Sequence, residues 1–276
     1  MQKFLTDIHT HSLFSFDGEE QLKDIIACAL GKGVAFYGVS EHFDYDLLVR
    51  GNTVNRRMID ENGYFHTARH LQEDYQGAMN MLVGAEFSYI DDKKALGMYQ
   101  SVVDKYAPDF IVNSVHSIGG QDYYDQTLYF KAGGQVRDKA ETYREYLATI
   151  LQSLHAPYHY DIVGHIGYAT RYAPYEDKRL LYKDFAKEID EILQVIIQKD
   201  KILEFNTSGK NAVSITDLDI FRRYYRLGGR NISYGSDTHG RARICDKREQ
   251  AVGVLKEIGF THLCVPCRGE YIKVEL

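Results

Sequence analysis

Short apolar runs recur along the chain, and most are followed by a longer stretch whose apolar residues fall at three- and four-residue steps. The runs are "KFLTDIH", "AFYGVSEH", "NMLVGAEF", "DFIVNSVH", "YDIVGHIG", "KILEFNTSG" and "NISYGSDTH". Nearly continuous apolarity over so few residues reads as a buried strand. The stretches "EEQLKDIIACALGKG", "ETYREYLATILQSLH", "KDFAKEIDEILQVIIQKD" and "KREQAVGVLKEIGF" carry the helical period, and glycine closes several of them. Alternation of strand and helix predicts an α/β fold with a parallel sheet. No linker, internal repeat or low-complexity segment divides the pattern, so one domain over residues 1–276 is expected, finished by a last strand at "YIKVEL".

Six of the seven runs end in a residue that carries chemistry: His9 and His11, His42, Glu86, His116, His165, and Asp237 with His239. The sixth ends at Asn206. In a β/α barrel the C-terminal ends of the strands share one face, where sites are built, so these residues are expected to converge there with Asp17, just after the first strand. Two long segments break the alternation, at about residues 43–63 and 117–136, and loops of that length commonly act as lids or binding walls.

His9 and His11 point to the same face because strand side chains alternate, and Asp237 and His239 repeat that spacing. A catalytic zinc-like ion takes three protein ligands and leaves a place for water, so nine ligands suit about three ions, with a carboxylate bridging two. Three divalent ions carry about three more positive charges than Asp17, Glu86 and Asp237 neutralise, a surplus suited to an anionic phosphate monoester. Mixed imidazole and carboxylate donors suit zinc, iron or manganese and disfavour calcium.

Composition narrows the partners. With 33 basic and 39 acidic residues the formal charge is −6, which argues against long nucleic acid and anionic membrane surfaces and leaves a small phosphorylated substrate held by a local site. No apolar run approaches a membrane span and the N-terminus lacks a cleavable leader pattern, so a soluble cytoplasmic protein is expected. The four cysteines read as reduced thiols, and the Cys264–Cys267 C-x-x-C reads as a strand end rather than a redox pair or zinc knuckle. Arg171 is either a bidentate phosphate contact or a surface arginine, and Lys210 is a second candidate of that kind. Arg56 and Arg57 lie in the first long segment. "DYYDQTLYF" in the second offers either an aromatic wall for a flat substrate ring or side chains that pack the loop down. His66 and His70 have helical i, i+4 spacing but lack the glutamate of a zinc-protease motif, so they are expected at the surface. His155, His159 and His262 have no partner pattern.

"DIHTHSLFSFDG", "SEH", "GAE", "VHSI", "GH" and "GSDTH", in this order from residue 7 to residue 239, resemble the ordered motifs of the polymerase and histidinol phosphatase (PHP) superfamily. The resemblance implies a distorted seven-stranded (β/α)7 TIM-like barrel with a trinuclear metal site. It implies that His9, His11, Glu86 and Asp237 hold one ion, that Glu86, bridging, with His116 and His165 holds a second, and that Asp17, His42 and His239 hold the third. Within the superfamily the chain is most similar to the stand-alone histidinol-phosphatases, through its length, the insert after "SEH", the segment "GHIGYATRYAP" and the ending "LKEIGFTHLCVPCRGEYIKVEL". This implies hydrolysis of L-histidinol phosphate to L-histidinol and phosphate in histidine biosynthesis, by in-line attack of metal-bound hydroxide on phosphorus. Asp17, His239 or a metal-bound water would protonate the leaving alkoxide.

Three other functions fit parts of the pattern. A phosphoesterase of the same superfamily acting on nucleotides shares the whole site. An amidohydrolase-type barrel cleaving C–N bonds shares the first-strand H-x-H. A non-catalytic metal-binding protein would keep the barrel, although the full set of nine argues against a decayed site.

Overall fold

All seven apolar runs form parallel strands: β1 (Leu5–Asp7), β2 (Val34–Val39), β3 (Asn80–Ser88), β4 (Phe110–Ser114), β5 (Ile162–Val163), β6 (Ile202–Asn206) and β7 (Ile232–Gly235). The computed structural model describes residues 5–50, 58–124, 126–210 and 212–276, so Arg56 and Arg57 lie outside the described residues. The strands pair in chain order from β1 to β7. Beyond the strands proper the ring is closed by hydrogen bonds between its two ends, from the Ile8 N–H to the Tyr234 carbonyl (3.2 Å), from Asp237 to His9 (2.9 Å) and from His11 to Thr238 (2.8 Å). The result is a barrel with short, irregular strands, the expected distorted seven-stranded form.

The four helical stretches form α1 (Leu22–Gly31), α4 (Lys139–Ser153), α5 (Ala186–Gln198) and α7 (Arg248–Ile258), and the fold adds α2 (Glu61–Asp74), α3 (Lys93–Tyr106) and α6 (Leu218–Arg226). Their apolar faces are the predicted ones: α1 buries Leu22, Ile25, Ile26 and Ala29, and α5 buries Ile189, Ile192, Leu193 and Ile196. Asp60, Asp92 and Asp138 cap α2, α3 and α4 by accepting from first-turn N–H groups that have no partner inside the helix. Gly259 ends α7 with a φ of 117°, a left-handed conformation that glycine adopts freely.

The expected last strand is one half of an antiparallel hairpin, β8 (His262–Cys267) with β9 (Glu270–Glu275). Cys264, Val265 and Val274 of this hairpin pack with Ile8, Leu82, Phe110, Val112, Ile162 and Ile202 in one buried cluster, and Cys264 and Cys267 are free thiols on a strand. Residues at or near the starts of β3 to β6 dominate that cluster, so the hairpin plugs the N-terminal mouth of the barrel.

The described parts of the two long segments gather on the opposite side. After β2 a short strand, His42–Phe43, runs parallel to β3 and places His42 opposite Glu86. The segment after β4 holds a small hairpin, Ser117–Ile118 with Gln121–Asp122, and a turn at Thr127–Tyr129. Its tyrosines divide between the two expected uses: Tyr123 and Tyr129 are fully buried, whereas Tyr124 is 58 % exposed and stands edge-on to Tyr172.

Candidate metal centre

Glu86, near the end of β3, is the hub of the site. Its Oε2 lies 3.3 Å from His9 Nε2, 3.6 Å from His11 Nε2 and 2.8 Å from His42 Nδ1. Its Oε1 lies 3.0 Å from His165 Nε2 and 3.3 Å from His116 Nε2. Asp237 Oδ1 faces the first pair, 3.4 Å from His11 Nε2 and 3.8 Å from His9 Nε2. Asp17, His42 and His239 form the outer lobe: His42 Nε2 is 3.3 Å from His239 Nε2, and the Asp17 carboxylate oxygens lie 3.7 and 3.4 Å from these two rings. All nine predicted residues are therefore brought together at the C-terminal ends of the strands.

Depth grades across the lobes. His9, His11, Glu86, His116, His165 and Asp237 are buried, His42 and His239 are partly covered, and the Asp17 side chain is 42 % exposed. The open side of the site is thus the Asp17 lobe.

Five buried polar atoms in this cluster make no hydrogen bond: Nε2 of His9 and of His11, Nδ1 of His42 and of His165, and Oε2 of Glu86. His42 Nδ1 and Glu86 Oε2 are close but poorly aligned for one. An unsatisfied buried polar atom costs about 1–3 kcal/mol, so five in one place indicate a region built for a group that supplies the missing bonds. Divalent cations fit it. Sets of three donor atoms within 4.8 Å of one another occur as His9, His11 and Asp237; His9, Glu86 and His165; His42, Glu86 and His116; and His11, His42 and His239.

The electrostatics agree with that fit. Burial disfavours a charged His9, yet the carboxylates of Glu204, Glu86 and Asp237 outweigh it and hold its pKa well above the ordinary value. His116 is raised in the same way against burial, by Glu86 and Asp44. For Glu86, burial raises the pKa and the surrounding His9, His116 and His42 more than reverse it. His11 alone moves down, through burial and the repulsion of His42 and His239. A field that retains protons on deeply buried imidazoles is one that also attracts metal cations.

Outer partners fix how the rings point. Glu204 Oε1 lies 2.6 Å from His9 Nδ1, Ser15 Oγ 3.4 Å from His11 Nδ1, Asp44 Oδ1 3.5 Å from His116 Nδ1, and the Asp237 carbonyl 3.2 Å from His239 Nδ1. In each case Nδ1 is tied outward and Nε2 is left facing the cluster. Glu41 holds the loop after β1 in place, accepting from the backbone N–H and hydroxyl of both Ser12 and Ser15. Ser114 donates to Glu86 Oε1 at 2.6 Å, and Gly164 makes room for it, since a Cβ there would come within 2.2 Å of the Ser114 hydroxyl.

Sequence reasoning missed Glu204, Asp44, Glu41 and Ser114. Glu204 and Asp44 carried a usable signal: each lies two residues from a residue already singled out, Asn206 and His42, on the alternation that puts i and i+2 on one face. Ser114, two residues before His116, carried the same signal, whereas Glu41, adjacent to His42, carried none.

Arg171 joins the site through its neighbours. Its Nη2 donates to Asp237 Oδ2 at 3.0 Å and to Ser208 Oγ at 2.5 Å, and its guanidinium lies over the Tyr168 ring. It is not a detached surface arginine. Lys210 lies exposed in the loop after β6. His66 and His70 stack edge to face on the exposed side of α2, and His155 and His159 are also at the surface.

A β/α barrel with a buried imidazole and carboxylate centre at the strand C-termini is the architecture of a metal-binding barrel enzyme. The PHP domain model matches residues 7–208, and the chain belongs to that family. It is 30 % identical over 235 residues to a protein of Clostridium acetobutylicum named "Probable histidinol-phosphatase", covering 84 % of this chain and 86 % of that one. It is also 30 % identical over 261 residues to the histidinol-phosphatase of Lactococcus lactis, covering 93 % and 92 %. The crystal structure of histidinol phosphate phosphatase from Lactococcus lactis, in complex with zinc, L-histidinol and phosphate, superposes with a TM-score of 0.85 at 27 % identity, over 98 % of this chain and 99 % of that one.

Proposed function

We propose that this chain is a metal-dependent phosphate monoesterase that hydrolyses L-histidinol phosphate to L-histidinol and phosphate. The observation that carries the proposal is the cluster around Glu86: eight of the nine candidate donors fall in four overlapping sets of three, and Nε2 of His9, Nε2 of His11 and Oε2 of Glu86 are buried there without a hydrogen bond. His9, His11, Glu86 and Asp237 are assigned to one ion, Glu86 with His116 and His165 to a second, and Asp17, His42 and His239 to a third, with zinc, iron or manganese as the metals the donor set suits. Bound ions of this kind make hydroxide available near neutral pH and neutralise charge on the phosphoryl oxygens.

The chain's own residues supply the rest. Arg171, held by Asp237 and Ser208, brings a fixed positive charge to the edge of the centre, suited to a phosphoryl oxygen. Asp17 or His239, on the open side, or a metal-bound water would protonate the departing alkoxide. Tyr168, 4.6 Å from His116 ring to ring, continues through Tyr172 to Tyr124 as an aromatic border for the imidazole of the leaving group. The names of the two relatives and the ligands of the Lactococcus lactis structure support this substrate over other phosphate esters. A cytoplasmic location and independence from nucleic acid belong to the same proposal, supported by the charge of −6 and by the lack, among the described residues, of a helix able to cross a membrane.

The test is phosphate release from histidinol phosphate beside a panel of sugar phosphates and nucleotides, with zinc, manganese or iron added and with a chelator control. Metal-dependent turnover that strongly favours histidinol phosphate is expected. Turnover of other esters alone would discard the substrate, and no turnover of any would leave a metal-binding protein.

A further inference from the structure

We infer that Glu204, on the one strand whose end carries no metal-ligand candidate, is the positioning residue that sets the metal affinity of the two deep lobes. The inference rests on the assignment of His9 and His165 as metal ligands. Glu204 is 1 % exposed and uses both carboxylate oxygens on the centre: Oε1 lies 2.6 Å from His9 Nδ1, and Oε2 accepts the backbone N–H of His165 at 2.8 Å. One carboxylate thus clamps a residue of the first strand's end to one of the fifth's, and these two residues belong to adjoining lobes around Glu86.

The consequence for His9 is chemical as well as geometric. A carboxylate accepts only, so Nδ1 carries the proton given to Glu204, and Nε2, buried between Glu86 and Asp237 without a hydrogen bond, is the nitrogen left to bind an ion. A carboxylate behind a ligating imidazole also makes the imidazole a stronger donor. The barrel keeps space for this pair. A Cβ on Gly235, the last residue of β7, would come within 2.3 Å of Glu204 Oε1 and 2.6 Å of the His9 Cβ, so only glycine lets the two side chains meet. Asn206, two residues on, lies 3.3 Å from Glu204 Oε2 with its amide nitrogen and braces the carboxylate from the side.

Glu204→Gln tests this with little change of volume. Its amide oxygen can serve only one of the two donors, and its NH2 then confronts the other. Zinc affinity is read on the full-length protein by competition against a chromophoric chelator, with metal content after dialysis and thermal unfolding measured alongside. The dissociation constant for zinc is expected to rise by about 10- to 100-fold, with phosphatase turnover recovering as zinc is raised. Gly235→Ala, which leaves Glu204 in place but crowds the pair, is expected to show the same weakened binding. Tyr158→Phe, which removes a buried hydrogen bond to Asn113 away from the centre, is expected to bind zinc as the parent does. Parent-like zinc affinity in a folded Glu204→Gln or Gly235→Ala protein would overturn the inference while leaving the proposed function standing. A parent protein that holds none of zinc, manganese or iron would remove both.

Discussion

The two ends of the barrel treat buried charge in opposite ways. At the N-terminal end Asp109, which precedes β4 and is 1 % exposed, has every oxygen occupied: Oδ2 accepts from the Val83 N–H (2.9 Å), Arg69 (2.7 Å) and Gln72 (2.7 Å), and Oδ1 accepts from Arg268 (2.9 Å) of the C-terminal hairpin. Asp161, before β5, is similarly placed, accepting from the Ile111 N–H and facing His159. At the C-terminal end Glu86 sits among five histidines, and five polar atoms of the cluster have no hydrogen bond. A satisfied buried carboxylate fastens strands to the rest of the fold. An unsatisfied cluster stores binding capacity at the expense of stability.

The sharpest way to break this contrast is to exchange the consequences of mutation at the two ends. His42→Ala should lower turnover by more than about 100-fold, the ceiling for residues that merely orient a ligand, with the circular dichroism spectrum retained. Near-normal phosphate release from that variant would sink the metal assignment. Next in size is removal of the metals. At a metal concentration of about 100 times the dissociation constant each bound ion adds roughly 2.7 kcal/mol, so chelation should lower the melting temperature by at least about 5–10 °C. Equal melting curves with and without chelator would mean the unsatisfied cluster is not a cation site.

Asp109→Ala should do the reverse, costing about 3 kcal/mol of stability by stranding a buried N–H and two guanidinium groups, with turnover of the folded fraction within about twofold of the parent. Chemical denaturation and steady-state kinetics on one preparation separate the two effects.

The same carboxylate gives a signed pH dependence. Burial raises the Asp109 pKa, but the Val83 N–H and the Arg268 and Arg69 guanidinium groups outweigh it and hold the folded value below the ordinary 3.8. A depressed folded pKa stabilises the fold fully above 3.8 and loses that contribution as pH falls below it towards the folded value. The stability gap between the parent and Asp109→Asn should therefore be constant at neutral pH and narrow below pH 3.8, as denaturant midpoints taken down the acid range will show. Smallest of all, Arg268→Ala should cost no more than about 1 kcal/mol, because that guanidinium is 70 % exposed.

Much of this was legible in the chain because period and position carry it. Seven apolar runs specified seven barrel strands, and the residues ending them specified a shared face, so nine converging donors followed without knowledge of any contact. The sixth strand shows where such reading stops. Its last residue, Asn206, drew attention as the exception, while the contributing side chain is Glu204, two places earlier on the same face and one layer deeper. The Glu41 brace on Ser12 and Ser15, and the fit of Gly235 over Glu204, depend on where segments distant in sequence meet. Likewise "YIKVEL" was readable as a strand, but its role as half of the plug in the N-terminal mouth depends on the closed barrel around it.

The central claim is that the cluster around Glu86 holds three divalent ions and that these make the chain a phosphatase. The most direct measurement is titration of the chelator-treated protein with zinc, following bound metal per chain and phosphate release from histidinol phosphate in the same samples. The account predicts that binding levels off at about three ions per chain and that full turnover requires the last of them. Full turnover with one ion per chain, or three ions bound with no turnover, would contradict it.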